Sequence, residues 1–348
     1  MKQEVYQKVV AEKSKSELKA SKAFIEKLLE YKKKCKQHKT YVKGVKAAIA
    51  YNKEDRIYSS YNFSQTVTGR LSCSTYVCGP KMKKGVSFHT LPRPTEDNVN
   101  IRKLMKSDGS KAFITADFSQ AELRVLAQCC KDKNLIKAFT SGQDLHSFTA
   151  SLVFGKDVKD VTKAERQIAK SVSFLIVYGG GAFNLAETMH ISVIHKSVKA
   201  NGYAVSLFGR RRNLPNVNSP IKKYQYRALR QGLNFVIQSS ASDLMLHSIT
   251  RLCKDLKSAG IEYDLLATVH DSVELQCEVK YIGRCVEIMR RSLAATSDLK
   301  KYYNLDFVVP FEVDIEAGTS FGDGIEVKFD SQGTSLNTSE IIDYVQNN

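Results

Sequence analysis

The chain has 348 residues, 43% of them hydrophobic, which is enough to bury a large core or two to three subdomains. Its formal net charge of +17 favours a polyanionic partner such as nucleic acid, because each Lys or Arg that neutralises a phosphate releases a counterion. No apolar run reaches the roughly 18 residues of a membrane span, and the charged N-terminus lacks a signal-peptide core. The eight cysteines include no CxxC pair, so we expect reduced thiols in a cytosolic protein.

Helical periodicity and strand-like apolar runs fall in separate parts of the chain. Apolar spacing, a capping-box pattern at Thr162 and Glu165 and a glycine stop predict helices at 14–50, 121–152, 162–178 and about 224–257. Glycine and proline predict mainly loops over 51–110, and a loose tail or a terminal helix is expected after Lys328. Strands are predicted at 112–116, 261–269, 273–279 and 307–315. Clustered strands with separate helical blocks predict an α+β fold.

The strand at 112–116 ends in Asp117, the first candidate site residue. An acidic side chain at a strand end that faces a cleft can hold a divalent metal. Ser119 and Glu122 follow in an S-x-x-E pattern. Glu122 therefore has one possible role that is purely structural, which is to tie down the start of the next helix through a capping box.

The helix that starts near Thr162 carries Arg166, Lys170, Phe174 and Tyr178 at intervals of four residues. Each step of four drifts by about 40° around a helix, so all of these side chains share one broad face. Two cations followed by two rings predict a nucleotide platform, with the cations on the triphosphate and the rings against base and sugar. The alternative is a core stripe of Phe174 and Tyr178 with solvated cations.

A strand–turn–strand hairpin is predicted around His270 and Asp271, because apolar and alternating residues lie on both sides of them. An Asp at a tight turn can be turn chemistry alone. Together with Asp117, however, it gives two carboxylates on adjoining strand ends. Such a pair can hold two divalent ions about 3.5–4 Å apart for in-line phosphoryl transfer.

These three stretches resemble, in the same order, motifs A, B and C of the family A DNA polymerases, the bacterial polymerase I and phage replicase type. The matching stretches are Asp117 to Arg124, the RxxxKxxxFxxxYG pattern from Arg166 to Gly179, and Val269 to Glu274. The resemblance extends over about residues 55–325. It includes Thr68-Gly69-Arg70-Leu71-Ser72, Asp144-Leu145-His146, Gly209-Arg210-Arg211-Arg212, the set Arg230, Asn234 and Gln238, and Val309-Pro310-Phe311-Glu312-Val313.

The resemblance implies a right-hand polymerase fold with an antiparallel palm sheet, helical fingers and a thumb remnant. The implied division is 1–60 for the thumb remnant, 61–128 for the first part of the palm, 129–229 for the fingers, 230–330 for the second part of the palm and 331–348 for a C-terminal tail. The implied reaction is template-directed addition of deoxynucleotides from dNTPs to a primer 3′-hydroxyl. The implied cofactor is a pair of Mg²⁺ ions, for which Mn²⁺ could substitute.

The resemblance also assigns roles to individual residues. It places Asp117, Asp271 and Phe118 on the metal ions and makes Lys170 the proton donor to pyrophosphate. Nucleotide contacts are implied for Arg166, Phe174, Tyr178, His146, Gln120 and Glu122, of which Glu122 excludes a 2′-hydroxyl. Contacts with primer–template DNA are implied for Arg70, Arg230, Asn234, Gln238 and His270.

The sequence departs from the family in three respects. Ser272 stands where the family usually has Glu, so catalysis is expected to depend on Asp117 and Asp271. No exonuclease domain is expected within this chain, so proofreading is not assigned, and whether such a domain precedes the chain is left undetermined. Gly179 and Gly209 are only 30 positions apart, which is too close for the family's helical excursion after the fingers helix. We expect missing residues near His195 rather than a trimmed enzyme.

Two other functions stay open. A single-subunit RNA polymerase shares the palm and can carry His-Asp-Ser, but that family does not keep Glu122 in a Ser-Gln-x-Glu-Leu-Arg context. An inactive DNA-binding module would be favoured by loss of either Asp117 or Asp271, and both are present.

We expect primer–template DNA and dNTPs as partners, no membrane and a monomer, with any processivity factor, nuclease or helicase undetermined. The expected location is the cytoplasm, of a bacterium or of the host cell if the chain is phage-encoded.

Overall fold

The structure is a computed structural model, and it describes residues 15–77, 83–92, 100–141, 144–169 and 192–348. The chain divides into two compact units. The first unit contains the described residues up to 60 and those from 73 to 101, and the second contains 61–72 and the described residues from 102 to 348. Every candidate site residue that the structure describes belongs to the second unit.

One long helical stretch makes up most of the first unit. Lysine-rich α1 (Lys15–Lys36) continues through a π-helical segment (Gln37–Val42) into α2 (Lys43–Asn52). The buried residues of this stretch, Tyr41, Val45 and Ala48, follow the spacing of one helical face. The helix predicted over 14–50 is therefore confirmed within the described residues.

Four short strands follow this helical stretch along the chain. Strands β1 (Ser60–Asn62) and β2 (Ser72–Ser74) fall where the chain passes from one unit to the other, and β3 (Tyr76–Val77) and β4 (Lys83–Lys84) pair antiparallel within the first unit. Short 3₁₀ turns follow at Phe88–Thr90 and Ile101–Leu104. The short length of these strands and turns is consistent with the mainly loop structure predicted over 51–110.

The second unit contains the remaining elements. Its strands are β5 (Lys111–Phe118), β6 (Tyr203–Val205), β7 (Arg211–Asn213), β8 (Tyr263–Val269), β9 (Ser272–Glu278), β10 (Val313–Ser320) and β11 (Asp323–Glu326). Its helices are α3 (Ala121–Cys130), α4 (Lys133–Thr140), α5 (Leu145–Phe154), α6 (Ser192–Asn201), α7 (Lys222–Ser258), α8 (Ile282–Ala294), α9 (Leu299–Tyr303) and α10 (Thr338–Asn347), with a further helical segment at 163–169.

Five strands of the second unit form one antiparallel sheet in the order β11-β10-β5-β9-β8. Successive side chains of a strand point to opposite faces, so the register fixes what each face carries. One face is apolar, because Ile114 and Ala116 of β5 align with buried apolar residues on both neighbouring strands. The opposite face is polar near the site, because Asp117 stands between Ser272 of β9 and Asp314 of β10.

The longest helix in the described ranges is α7. It spans 37 residues, and its buried side chains include Leu233, Phe235, Ile237 and Leu252. It packs against α3, α6 and α8. Gly232 permits the close approach of α6, since a Cβ at that position would lie 3.1 Å from Val198 Cγ1. The helix predicted over about 224–257 is confirmed with slightly wider bounds.

Two predicted elements differ from the observed ones. The region 121–152 forms three helices instead of one, because Lys131 takes a left-handed conformation (φ 50°) after α3 and Asp144 starts α5 as its N-cap. The strand predicted over 307–315 begins only at Val313. The backbone before it is held by a side chain instead of a sheet neighbour: Gln128 donates to the Asp306 carbonyl (2.6 Å) and accepts from the Val308 N–H (3.0 Å).

The remaining fold-level expectations have mixed outcomes. The end of the chain forms a helix, α10, which is the second of the two predicted alternatives. Helix α6 begins at Ser192 and runs through His195 and Lys196. The residues just before Ser192, where the sequence indicates a broken helix, lie outside the described ranges, so the missing residues near His195 stay a prediction. The seven cysteines in the described part of the chain are free thiols. No helix in the described ranges is both long enough and apolar enough to cross a membrane.

Candidate active site

The sheet brings Asp117 and Asp271 to the same edge, as the sequence predicts. Asp117 is near the end of central strand β5, and its ladder partner on β9 is Ser272, the residue directly after Asp271. The Phe118 N–H donates to the Asp271 carbonyl (3.0 Å), so the hydrogen bonds between β5 and β9 continue into the hairpin turn. His270 forms the turn between β8 and β9 in a left-handed conformation (φ 59°) and is exposed. Asp117 is therefore carried by β5, and Asp271 by the turn that leads into the neighbouring strand β9.

This edge carries the hard oxygen donors that Mg²⁺ prefers. The donors are the carboxylates of Asp117 and Asp271, while Phe118 has no polar side chain and could contribute only its backbone carbonyl. Among the residues that the structure describes, no group of three or more His, Cys, Asp or Glu side chains is arranged to hold a metal. Mg²⁺ usually keeps several waters and binds through one or two carboxylates plus substrate phosphates, so a two-carboxylate site fits this ion.

Arg70 forms ion pairs with two acidic side chains of the site. Its Nη2 donates to Glu122 Oε1 (2.5 Å) and to Asp271 Oδ1 (3.3 Å). The preceding Gly69 has a left-handed backbone (φ 75°), and a Cβ there would lie 2.7 Å from the guanidinium carbon of Arg210. Arg210 itself pairs with Asp243 (2.7 Å). The Thr-Gly-Arg segment thus places one cation between the carboxylates of Asp271 and Glu122, an arrangement that the sequence does not predict.

The capping box predicted for Ser119 and Glu122 does not form. Helix α3 has Gln120 as its N-cap, in a left-handed conformation (φ 53°), and no side chain caps the first turn. The Ser119 N–H donates instead to the Glu312 carbonyl (3.0 Å). Glu122 is buried, with 6% of its surface exposed, and accepts the hydrogen bond from Arg70. The capping interpretation of Glu122 was wrong, because the turn before α3 is tied to the strand segment instead.

Arg166, expected on a triphosphate, is paired with Asp144. Its Nε and Nη2 donate to the two carboxylate oxygens at 2.7 and 3.0 Å, and Asp144 also accepts from the Ser147 N–H as the N-cap of α5. Burial disfavours the charged carboxylate, but the hydrogen bonds from Arg166 and Ser147 outweigh it and hold the pKa of Asp144 well below its usual value. Arg166 is partly exposed, so the pair is accessible from solvent.

The start of the Arg166 helix agrees with prediction. The Thr162 N–H donates to Glu165 Oε2 (2.9 Å), and the Glu165 N–H donates to the Thr162 hydroxyl (3.3 Å), which is a complete capping box. Lys156 and the Thr162 groups hold the pKa of Glu165 at about 2. Lys170, Phe174 and Tyr178, the other members of the predicted platform, lie outside the described residues.

The remaining predicted contacts fall on two helices. His146 lies in the first turn of α5 and is buried, with 3% of its surface exposed. Arg230, Asn234 and Gln238 are four residues apart on α7 and share one face. Arg230 is exposed, whereas Asn234 and Gln238 are half-buried.

Two residues that the sequence reasoning missed support the site. Arg124 of α3 is buried and donates to the Ser119 carbonyl (2.9 Å), the Pro310 carbonyl and Glu312 (2.5 Å), and its guanidinium lies 4.6 Å from the Phe139 ring centre. It fixes the turn after Asp117 to the segment before β10. The available signal was a charged residue among the apolar residues Leu123, Val125 and Leu126.

The second missed residue is Glu274 of β9. It is fully buried, with 0% of its surface exposed. Its carboxylate accepts from Ser272 Oγ (2.6 Å) and from Thr115 Oγ1 (2.5 Å). Burial, with a smaller contribution from the charge of Asp117, raises the pKa of Glu274 to about 7, because the two hydroxyls and Arg102 only partly compensate. In the sequence Glu274 occupies a polar position of an alternating strand, so its burial has no local signal.

The raised pKa of Glu274 predicts a pH-dependent stability. Between about pH 4.5 and pH 7 the unfolded chain releases the Glu274 proton while the folded chain keeps it. Stability should therefore fall as the pH rises through this window, by about 3 kcal/mol for this group. Thermal unfolding of wild type and Glu274→Gln at pH 5 and pH 8 measures the effect. The variant should lose less stability than the wild type, and equal losses would mean that Glu274 does not cause the dependence.

Comparison with known proteins gives one consistent result. Residues 2–196 and 190–323 match the model of DNA polymerase family A. DNA polymerase I of Chloroflexus aurantiacus is 30% identical over 317 residues, which cover 84% of this chain and 32% of that protein. The thermostable DNA polymerase I of Thermus thermophilus is also 30% identical over 317 residues, covering 84% of this chain and 36% of that one. The chain thus spans about a third of the length of the curated relatives it matches.

A solved structure with a similar fold is the POL domain of Pol1 from M. smegmatis in complex with DNA primer-template and dNTP. The two share a TM-score of 0.71 and 27% sequence identity. The match covers 84% of this chain and 52% of the other.

Proposed function

Because the chain belongs to DNA polymerase family A, we propose that it catalyses template-directed addition of deoxynucleotides to a primer 3′-hydroxyl. The observation that carries the proposal is the β5–β9 register, which brings Asp117 and Asp271 to one edge of the sheet. Two carboxylates on adjoining strand ends suit in-line phosphoryl transfer with divalent ions. The family membership and the likeness to the Pol1 domain support the same reaction and also confirm the right-hand polymerase fold class.

Asp117, Asp271 and the Phe118 carbonyl would hold the metal ions. Divalent metals are the cofactors that this family generally uses, and we propose two Mg²⁺ ions here, with Mn²⁺ as a substitute. When bound, such ions lower the pKa of the attacking hydroxyl and stabilise charge on the transferring phosphoryl group. The protein's contribution is to hold both carboxylates on rigid neighbouring strands, so that little rearrangement is needed before the reaction.

The nucleotide would be bound by the helix that starts at Thr162. Arg166 and Lys170 would contact the triphosphate, Lys170 would donate a proton to pyrophosphate, and Phe174 and Tyr178 would line the base and sugar. The Asp144 partner of Arg166 keeps that guanidinium in place before a nucleotide arrives, and a triphosphate offers it a stronger anion. We further propose that His146, at the start of α5, and Gln120 contribute to this nucleotide site.

Primer–template DNA would lie along polar side chains of α7 and of the hairpin tip. We propose contacts from Arg230, Asn234, Gln238 and His270, supported by the net charge of +17. Arg70 would exchange its bonds to Glu122 and Asp271 for acceptors in the minor groove, which every correct base pair presents alike.

The family membership also supports a division of the chain into thumb, palm and fingers. We propose the thumb remnant at 1–60, the palm at 61–128 and 230–330, the fingers at 129–229 and a C-terminal tail at 331–348. The five-stranded sheet supports the palm, because all its strands come from the two proposed palm segments.

The test of the proposed function is primer extension with Mg²⁺ and either dNTPs or NTPs on a DNA primer–template. We expect extension with dNTPs and little with NTPs. Efficient extension with NTPs would favour an RNA polymerase-like enzyme, and DNA binding without extension would favour an inactive DNA-binding module.

Replacement of Glu122 by Ala should admit ribonucleotides. A carboxylate beneath the sugar excludes the 2′-hydroxyl by bulk, and Glu122 is buried in the first turn of α3. We expect the rNTP/dNTP ratio of kcat/KM to rise by about 10-fold or more. Glu122→Gln keeps the bulk and is the matched control, with a ratio closer to that of the wild type. An unchanged ratio in Glu122→Ala, together with a lower melting temperature, would mean that Glu122 is structural.

A further inference from the structure

The polar face of the sheet continues along β5 and β9, away from the edge that carries Asp117 and Asp271. In the ladder, Asp117 is opposite Ser272, and two residues further from the edge Thr115 is opposite Glu274. Because residues two apart on a strand share a face, these four side chains form two adjacent polar rows on one side of the sheet. The first row is the proposed catalytic row, and the second has no role in the chemistry derived above.

The second row is linked to the first through Glu274. Its carboxylate accepts one hydrogen bond from Ser272 Oγ (2.6 Å) on its own strand and one from Thr115 Oγ1 (2.5 Å) on the neighbouring strand. Ser272 directly follows Asp271, and Thr115 is two residues before Asp117. One side chain therefore holds a neighbour of each metal-binding carboxylate.

The position of Glu274 is costly, which argues that it does more than fill space. It is fully buried among strands whose opposite face is apolar, and burying a carboxyl group costs free energy even when it is hydrogen-bonded. A β-branched apolar residue would pack there at lower cost. Holding two strand ends at a fixed separation needs a group with two acceptor oxygens, which a carboxylate supplies.

We propose that Glu274 is a positioning residue that, through the Ser272 and Thr115 hydroxyls, holds Asp271 and Asp117 at the separation that metal binding requires. Groups that orient the ligands of a metal typically change its affinity by about 10–100-fold when they are replaced. The inference rests on the proposed function for the identity of the site, but metal binding can be measured without catalysis.

The experiment compares Glu274→Val with Glu316→Val. Glu316 is the ladder neighbour of Thr115 on the other side, on β10, and is exposed, so it is a matched acidic control in the same row. Mn²⁺ binding to the protein alone is measured by electron paramagnetic resonance, and the signal that persists with Asp117→Asn is subtracted. The Mg²⁺ concentration for half-maximal extension, the dNTP KM at saturating Mg²⁺ and the melting temperature are measured in parallel.

We expect Glu274→Val to weaken Mn²⁺ binding and raise the half-maximal Mg²⁺ concentration by about 10-fold or more, with an unchanged dNTP KM. Glu316→Val should change neither. Glu274→Gln, which keeps one acceptor oxygen, should fall between wild type and Glu274→Val. Unchanged Mn²⁺ binding in Glu274→Val, or an equal loss in Glu316→Val, would overturn the positioning role.

Two further variants keep the inference testable if Glu274→Val does not fold. Ser272→Ala and Thr115→Val each remove one hydroxyl and leave Glu274 in place, and each should weaken Mn²⁺ binding in the same direction. If both bind Mn²⁺ as the wild type does, the positioning role is wrong. If the wild type binds Mn²⁺ through Asp117 but never extends a primer, the proposed function fails while the positioning role is still measured.

Discussion

Asp117→Asn and Asp271→Asn should each reduce primer extension by about 10³-fold or more. The reason is that each removes a negative ligand from the proposed metal site, and metal-ion stabilisation of the transition state contributes several kcal/mol. The affinity for primer–template DNA should stay within about threefold of wild type, because DNA binding comes mainly from the basic surface. Single-turnover extension gives the rate, and fluorescence anisotropy gives the affinity.

Asp264→Asn is the matched control for this experiment. Asp264 is a carboxylate on β8 of the same sheet, but it lies towards the end of the strand away from the hairpin tip, where it pairs with Lys111 (2.5 Å). Its replacement should leave the extension rate nearly unchanged. Wild-type extension by Asp117→Asn or Asp271→Asn would remove the active-site assignment.

Arg124→Ala should destabilise the protein by about 3 kcal/mol or more. The guanidinium is buried and serves two backbone carbonyls, of Ser119 and Pro310, which would lose their partner inside the protein. Each hydrogen bond that a charged group makes contributes about 1.5–3 kcal/mol, and the cavity left by the buried Arg124 side chain adds to the loss. Thermal unfolding monitored by circular dichroism should show a clearly lower midpoint.

Glu312→Gln separates the two parts of this interaction. The Glu312 side chain is 57% exposed, so its ion pair with Arg124 should contribute about 1 kcal/mol or less. We expect Glu312→Gln to unfold close to the wild-type temperature. If it were as unstable as Arg124→Ala, the ion pair and not the carbonyl contacts would hold the turn to the strand.

The sequence predicts the parts of the fold that periodicity and strand ends determine. The strand before Asp117, the hairpin at His270 and Asp271 and the long helix α7 are all present, because their apolar patterns match the burial on the sheet and helix faces. The capping box at Thr162 and Glu165 is also present, since both partners are local. Local signals were sufficient in each of these cases.

Interactions between distant residues could not be predicted in the same way. The pairing of Arg70 with Glu122 and Asp271 joins residues more than 50 and 200 positions apart, and no local pattern indicates it. The late start of β10 depends on Gln128, whose side chain replaces the missing strand partner of the Asp306 and Val308 backbone. The S-x-x-E pattern at Ser119 failed for a similar reason, because the Ser119 N–H is used by Glu312 across the sheet edge.

Hydrophobic periodicity does not show which charged side chains are buried. Glu274 occupies a polar position of the alternating strand β9, and Arg124 is on a helix that also carries Glu122 and Gln128, so neither pattern predicts that these charges are buried. The structure shows that both carry hydrogen bonds between elements near Asp117.

The central claim is that the Asp117–Asp271 edge catalyses template-directed DNA synthesis. The most direct measurement is single-nucleotide incorporation on four primer–templates that differ only in the next template base, each offered one dNTP at a time with Mg²⁺. We expect each primer to be extended by the complementary nucleotide, with one pyrophosphate released per addition and no release without Mg²⁺. Extension that ignores the template base, or binding of the DNA with no incorporation at all, would contradict the claim.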